Sequence, residues 1–498
     1  KGIPDAMSEL AVVLLIPNLP FFDPQKGMKW MQKAAALGNT PAMGNLGLVY
    51  LRGNEVVSRD LKKGMEWMTK AGESGDPQAQ ELLGDMFLSG KYEGVPRDLE
   101  KAAVWYRLAA NQGFPRSQYL LGLVYDNTKN YQEAYRWYCR AAENNHSEAK
   151  STLGGMYASG RGIPKDFNKA FELFKEAAEA GIPRAMGGLA NCYFKGWGTE
   201  RDDRLALRFY ELNLKNISPE DPDYGGICAE VARFLEETEI PQLKDSKRSI
   251  ELLKKAAELG YAPAQVVWGK QFLVDKWGVK DTKKGYEWIS KGALQGDMQG
   301  QLLLGMIYRE GWNGAPDPIK AVEWLQKAAD QGSIEAKNIL GVMYQEGEVK
   351  GGTSTTFAQL YKEAADEGNL MGCYNLGRIY TTGDGVELDY KKAFDLFKYT
   401  AERGLAKGQN ALGCMYSDGT GVEVDKVKAF DWFQKSANQD DPNGHFNLSL
   451  MYFRGWSVPL DNNLGIKHLT ISASLGHVRA KQALDDLKER AEEIQKRK

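Results

Sequence analysis

Four histidines, His146, His445, His468 and His477, and five cysteines, Cys139, Cys192, Cys228, Cys373 and Cys414, are the side chains with which this chain could hold a metal or attack a substrate. A zinc site needs cysteine and histidine pairs about two to five residues apart, and nucleophilic catalysis needs a nucleophile beside a base. The cysteines are odd in number and far apart, with none at ligand spacing, so neither a zinc site nor a disulfide framework is expected. Cys192 and Cys414 fall in helix-like stretches, Ala190-Asn191-Cys192-Tyr193 and Gly413-Cys414-Met415-Tyr416, where a free thiol behaves as a small hydrophobe. Unpaired cysteines lean toward the cytoplasm without excluding a secreted or periplasmic protein. No Walker loop, His-Glu-x-x-His or Gly-x-Ser-x-Gly occurs. The residues therefore give no catalytic, metal or cofactor site, and an enzyme is not expected.

What positions these residues is a long soluble-type chain. Its 498 residues exceed one ordinary hydrophobic core, so it is several domains or a repeat array. Apolar residues at 43% and charged residues at 26% suit a folded protein. The 64 Lys and Arg against 66 Asp and Glu leave no basic excess for nucleic acid, so none is expected as a partner. The longest strongly apolar run, Leu10 to Ile16, stops at Pro17, far short of the roughly 20 residues of a membrane span.

Self-similarity decides the architecture. A turn residue recurs every 36 positions at Gly260, Gly296, Gly332, Gly368, Gly404, Asp440 and Gly476. Tyr308, Tyr344, Tyr380, Tyr416 and Tyr452 keep the same step. So do Gly269, Gly305, Gly341, Gly377 and Gly413, and Asp281, Asp317, Asp389, Asp425 and Asp461, with Thr353 the exception. The first half repeats the unit more loosely, as in Leu46-Gly47-Leu48-Val49-Tyr50 and Leu121-Gly122-Leu123-Val124-Tyr125.

Each position has a physical task. In a first helix, A, Leu, Gly and Tyr share one stripe. A helical Gly costs about 1 kcal/mol against Ala, so its recurrence implies that a second helix, B, comes close. The Asp sits where the N-cap of helix B belongs. Lys320-Ala321-Val322-Glu323-Trp324 and Lys428-Ala429-Phe430-Asp431-Trp432 put Ala and Trp three apart, on the face expected to be buried. The closing Gly supplies a left-handed C′ residue. No run reads as strand.

Ala406 to Asn438, with Gly408, Leu412, Gly413, Tyr416, Gly421, Val422, Asp425, Lys428, Ala429, Trp432, Lys435 and Ala437, resembles the Sel1-like repeat, a relative of the tetratricopeptide repeat. The resemblance covers nearly the whole chain. It implies an all-α, right-handed superhelical solenoid of about 12–13 antiparallel helix pairs with a C-terminal capping helix. Members of the family are adaptors, so the resemblance also implies a non-catalytic scaffold. A cysteine-rich branch is associated with penicillin binding; this chain lacks the paired cysteines, so a β-lactam-acting or other hydrolase activity is not carried over.

The expected organisation is Sel1-like repeats with an irregular first repeat over 1–215, a distorted repeat with an insertion over 216–260, regular 36-residue repeats over 261–477 and a capping helix over 478–498. The insertion, Asn216 to Gly226 and Glu236 to Asp245, reads as an elongated loop or a hinge. Around Asp126 the A–B loop is instead shortened. Ala480, Leu484, Leu487, Ala491 and Ile494 give the last segment a narrow apolar stripe. The opening Lys1-Gly2-Ile3-Pro4 repeats an internal junction, which suggests further chain upstream.

In tetratricopeptide-like arrays helix A lines the concave face. The resemblance then places Leu302, Asn338, Tyr374, Asn410 and Phe446 inward, with Met306, Val342, Arg378, Cys414 and Leu450 one residue past each Gly or its Ser449 equivalent. Polar, aromatic and Arg side chains there suit a protein or extended peptide partner. Loop tryptophans Trp197, Trp277, Trp312 and Trp456 offer a second reading, stacking platforms of a glycan or cell-wall binding module.

Overall fold

The computed structural model describes residues 2–496 except 18, 93 and 274–280, with side chains as far as 490. Trp277 lies outside the described residues. Among the described residues there is no strand, and no helix is long and apolar enough to cross a membrane.

The chain divides into two units, 1–255 and 256–498. In the first, α1 (Ile3–Leu15) is followed by α2 (Pro24–Ala36), α3 (Thr40–Arg52) by α4 (Leu61–Glu73), and α5 (Pro77–Ser89) by α6 (Leu99–Asn111). Next come α7 (Pro115–Asn127), α8 (Tyr131–Glu143), α9 (Ser147–Ser159), α10 (Phe167–Glu179), α11 (Pro183–Lys195), α12 (Asp203–Asn216) and α13 (Tyr224–Glu237). The division falls within α14 (Ser246–Glu258). The second unit continues with α15 (Ala262–Leu273), α16 (Thr282–Leu294), α17 (Met298–Glu310), α18 (Pro318–Asp330), α19 (Ile334–Gln345) and α20 (Ser354–Asp366). It ends with α21 (Leu370–Thr382), α22 (Tyr390–Glu402), α23 (Ala406–Asp418), α24 (Lys426–Ala437), α25 (Pro442–Arg454), α26 (Asn462–Ser474) and α27 (Val478–Lys496). Odd-numbered helices through α25 are A and even-numbered ones B, thirteen pairs among the described residues, and α27 packs against α26.

The helical glycines do what their cost demanded. A β-carbon on Gly305 would lie 2.6 Å from Leu325, on Gly377 2.7 Å from Phe397, and on Gly413 2.7 Å from Phe433. Helix B thus touches the backbone of helix A. The residue that makes this contact follows the Trp position, which corrects the expected packing. Leu325 and Ala321 are fully buried, whereas Trp324 is half-buried with Lys327 Nζ 3.9 Å above its ring. Only a side chain four residues from the Ala points at the Gly; one at three lies to the side, where a lysine stem covers it.

The Tyr…Asp-x-x-Lys spacing is one interlock. Asp425 N–H donates to the Tyr416 carbonyl at 2.9 Å, and its carboxylate accepts the Lys428 N–H at 2.9 Å as the N-cap of α24. Lys428 Nζ returns to the same carboxylate at 3.1 Å and sits 5.3 Å from the Tyr416 ring centre. Tyr416 also meets Phe394 of the preceding B helix edge-on at 5.6 Å, so the row joins neighbouring repeats. Gly260, Gly296, Gly332, Gly368 and Gly404 are left-handed, φ 80° to 93°, and Asp440 keeps the conformation at 55°.

The elongated segment of the first unit is tied down. Asp203, 5% exposed, takes Arg201 Nε at 2.7 Å and the Glu239 N–H at 3.0 Å, along with the fully buried Thr238 hydroxyl. At the other end of the chain the capping stripe fades early: Ala480 is buried but Leu487 is 41% exposed. The side chains of Ala491 and Ile494 lie outside the described residues.

Candidate partner-binding face

Within each unit the A helices run closer together than the B helices. The backbones of α9 and α11, of α15 and α17, and of α23 and α25 approach one another, and no B pair comes as close among the described residues. The A row is therefore the tighter side of each stack, and side chains bridge it from repeat to repeat.

The structure sorts the expected residues. Leu302 is 2% exposed, packed with Ala328, Ala336 and Leu340, which corrects its assignment to a partner: the next helix pair covers it. Asn338, at 8%, is also turned inward and accepts Asn375 Nδ2 at 2.9 Å. Met306 is half-buried against the same cluster as Leu302. Tyr374, Asn410 and Phe446 are half-buried and Arg378 is exposed. Tyr374 is half-buried with its ring 5.8 Å from Phe397, and burial raises its phenol, with the Arg378 charge opposing. Arg378, one turn on, is exposed and makes no ion pair among the described residues. Asn410 accepts Asn447 Nδ2 at 2.7 Å, and the same amide reaches Cys414 Sγ at 3.5 Å. Burial pushes the Cys414 thiol up to about 11, so it is a packing group at neutral pH. Phe446 stacks on His477 at 4.4 Å. Tyr374, Arg378, Asn410 and Phe446 thus lie on three successive A helices, with the Asp441 carboxylate close enough to act on Tyr374.

The described loop tryptophans have different surroundings. Trp197 stacks face to face on Phe167 at 5.0 Å, and Trp456 lies under Lys426 Nζ at 3.9 Å and the Arg454 guanidinium at 4.4 Å. Trp312 alone of the three is exposed, at 43%.

Two polar features escaped the sequence reading. One is an amide relay. Gln409 Nε2 donates to the Ala401 carbonyl of the preceding repeat at 3.3 Å, and Gln439 donates to Gln409 Oε1 at 2.8 Å. Gln301 with Gln331 (2.7 Å), Gln265 with Gln295 (2.8 Å) and Gln118 with Asn144 (3.0 Å) repeat it. The 36-residue steps Gln265–Gln301 and Gln295–Gln331 were the available signal. The other is a histidine pair: His445, in the Gln409 register, faces His468 Nδ1 to Nδ1 at 2.9 Å. No group of three or more His, Cys, Asp or Glu suited to a metal occurs among the described residues, and all five cysteines are free.

Comparison with known proteins bears on the architecture. The model of the Sel1 repeat matches twelve segments: 4–39, 40–76, 77–114, 115–146, 147–182, 183–212, 233–261, 275–297, 299–333, 370–405, 406–441 and 442–477. It passes over α19 and α20, whose B helix starts at Thr353 rather than Asp. Chitin synthase regulatory factor 3 of Schizosaccharomyces pombe is 28% identical over 140 residues, 28% of this chain and 15% of that protein. The ERAD-associated E3 ubiquitin-protein ligase component HRD3A of Arabidopsis thaliana is 30% identical over 88 residues, 18% of this chain and 13% of that protein. A solved structure, a protective antigen present in uropathogenic Escherichia coli strains displaying an SLR fold, is 28% identical with a TM-score of 0.54. The match covers 93% of this chain and 97% of that one. With its repeats matched from residue 4 to residue 477, the chain belongs to the Sel1 repeat family.

Proposed function

We propose that the chain is a non-catalytic scaffold that receives a partner protein, as an extended segment, along the helix A face. The observation that carries this reading is the group Tyr374, Arg378 and Asn410 on α21 and α23. There a half-buried aromatic ring beside Phe397, an exposed cation and an amide bonded across to the next repeat lie on neighbouring A helices. Such residue types dominate the energetics of protein interfaces. The relatives point the same way: one is named a regulatory factor and one a ligase component. Each shares only a small part of its length with this chain, so their partners do not transfer.

Cross-linking mass spectrometry in native extract, followed by binding to the recovered partner, tests the reading. Tyr374→Ala with Arg378→Ala lowers affinity at least about 30-fold, the scale of a two-residue hot spot. Unchanged affinity, or cross-links confined to B helices, sinks it. A glycan reading has one favouring observation, the exposed Trp312 ring. It requires that Trp312→Ala abolish glycan-array binding while the Tyr374 and Arg378 changes leave it intact.

A further inference from the structure

Two residues before the recurring Leu of helix A stand Tyr119 in α7, Phe446 in α25 and Gly44 in α3. The first two show what this place accepts. The Tyr119 ring lies 4.8 Å from His146, 25° from parallel, and the Phe446 ring lies 4.4 Å from His477, 17° from parallel. Each histidine opens the next A helix, where its Nδ1 accepts the Ala149 N–H at 3.3 Å or the Ala480 N–H at 3.0 Å. A flat group on one A helix thus lies against the cap residue of the next. Gly44 brings no such group, and the cap of the next A helix, α5, is Asp76. A cavity of about 310 Å³ stands there instead, between α3 and α5.

The cavity is open to solvent, since Pro41 and Gln78 line it and are exposed, while Leu48 and Leu82 give it half-buried apolar walls. Its size is at the small end of ligand pockets, about 300 Å³, and suits one side chain. Asp76 Oδ1 accepts the Ala79 N–H at 2.7 Å and so caps α5. The other oxygen, Oδ2, faces the space, 3.7 Å from where a β-carbon on Gly44 would be. Asp76 is half-buried and joins no ion pair among the described residues, and no lysine or arginine lines the cavity. Arg116 on α7 is already committed to Glu81 and Asp85. The site therefore has a slot for a flat group, apolar walls for a stem, and one carboxylate oxygen without a cation.

We propose that this cavity receives an arginine side chain of the extended partner segment, its guanidinium donating to Asp76. The inference rests on the helix A face being the binding face. A guanidinium is flat, like the rings that fill the equivalent place in α7 and α25, and its fork of N–H groups matches a carboxylate. Its methylene stem packs on Leu48 and Leu82. A lysine would bring the charge without the plane. An aromatic ring would bring the plane but cover the Asp76 carboxylate without giving it a donor, which costs free energy.

The test is fluorescence polarisation with the full chain and labelled nonapeptide pools, randomised except for a fixed central residue. That residue is Arg, citrulline, Lys or Phe. The Arg pool should bind at least tenfold tighter than the other three. Asp76→Asn removes the charge but keeps a good N-cap, and should bring the Arg pool down to the citrulline level. Gly44→Phe fills the cavity with the ring that α25 carries at the same place, and should do the same. Asp98→Asn takes the same charge from the cap of α6, a B helix, and should leave the preference unchanged. Circular dichroism melting checks folding, and Asp76→Asn alone decides if Gly44→Phe fails to fold. Binding of any other pool as tight as that of the Arg pool, or a preference that survives Asp76→Asn, overturns the arginine site while the face reading stands. Binding by no pool overturns the site as well, and cross-links confined to B helices remove the face reading with it.

Discussion

The Phe433 ring stands 2.7 Å from where a β-carbon on Gly413 would be. Gly413→Ala gains about 1 kcal/mol of helix propensity but overpacks this contact at about 1–3 kcal/mol. Net destabilisation of about 1 kcal/mol is expected, read as a lower urea midpoint. Gly155 is the control: nothing lies within 4 Å of its β-carbon position, and its backbone is helical. Gly155→Ala should raise the midpoint. Equal effects at the two sites would show that propensity, not close approach, explains the recurring Gly.

The repeat was legible because 3.6-residue stripes, capping Asp and left-handed Gly are local chemistry that recurs in register. The thirteen pairs, the Asp425 cap and the Gly404 turn all follow from it. The Trp324 position was misread because a Trp three residues after a buried Ala and a Leu four after it both fit one apolar stripe. Only the direction of the Cα–Cβ bond separates them. The candidate face was legible less well. Leu302 and Asn410 share a register, yet one is core and one is half-buried, because neighbouring side chains decide what covers each.

Gln409 tests the amide relay. It is 6% exposed and bonds both the Ala401 carbonyl and Gln439. Gln409→Leu keeps the bulk but strips two polar groups of their partner, each worth about 1–3 kcal/mol when buried and less when half-exposed. A loss of about 2 kcal/mol is expected in urea unfolding. Gln434→Leu, on a half-buried helix B surface, should cost less than about 0.5 kcal/mol. Indistinguishable midpoints would mean that water replaces the relay.

His445 and His468 predict a pH response in the last repeats. Burial lowers both; for His445 Asp440 and Asp441 oppose the shift, and for His468 the His445 and Lys467 charges add to it. His445 Nε2 is buried without a partner, 4.0 Å from Asp440 Oδ1. His477, beyond Phe446, is lowered by burial and by Arg479. A folded pKa below the unfolded value of about 6.5 means that stability is complete above that pH and falls as pH drops through it. The melting temperature should therefore decrease from pH 7.5 to pH 5. His445→Gln, which restores the residue of the Gln409 register, should flatten that decrease. A slope unaffected by the substitution would assign the response to other groups.

Asp203 decides whether the elongated segment around Thr238 is a fixed part of the first unit. Burial raises its carboxyl, but bonds from Arg201, Thr238 and the Glu239 N–H outweigh this and lower it overall. A lowered carboxylate contributes stability above about pH 4 and loses it below, so the tie holds throughout the neutral range. Asp203→Ala leaves the buried Thr238 hydroxyl and the Glu239 N–H without an acceptor. It should cost about 2–3 kcal/mol, the worth of hydrogen bonds to a charged group. Hydrogen exchange gives the local readout: the Glu239 amide should lose protection while the Gln409 side of the molecule keeps its own. Protection unchanged at Glu239 would mean that the segment is held by Ile240 and its neighbours rather than by Asp203.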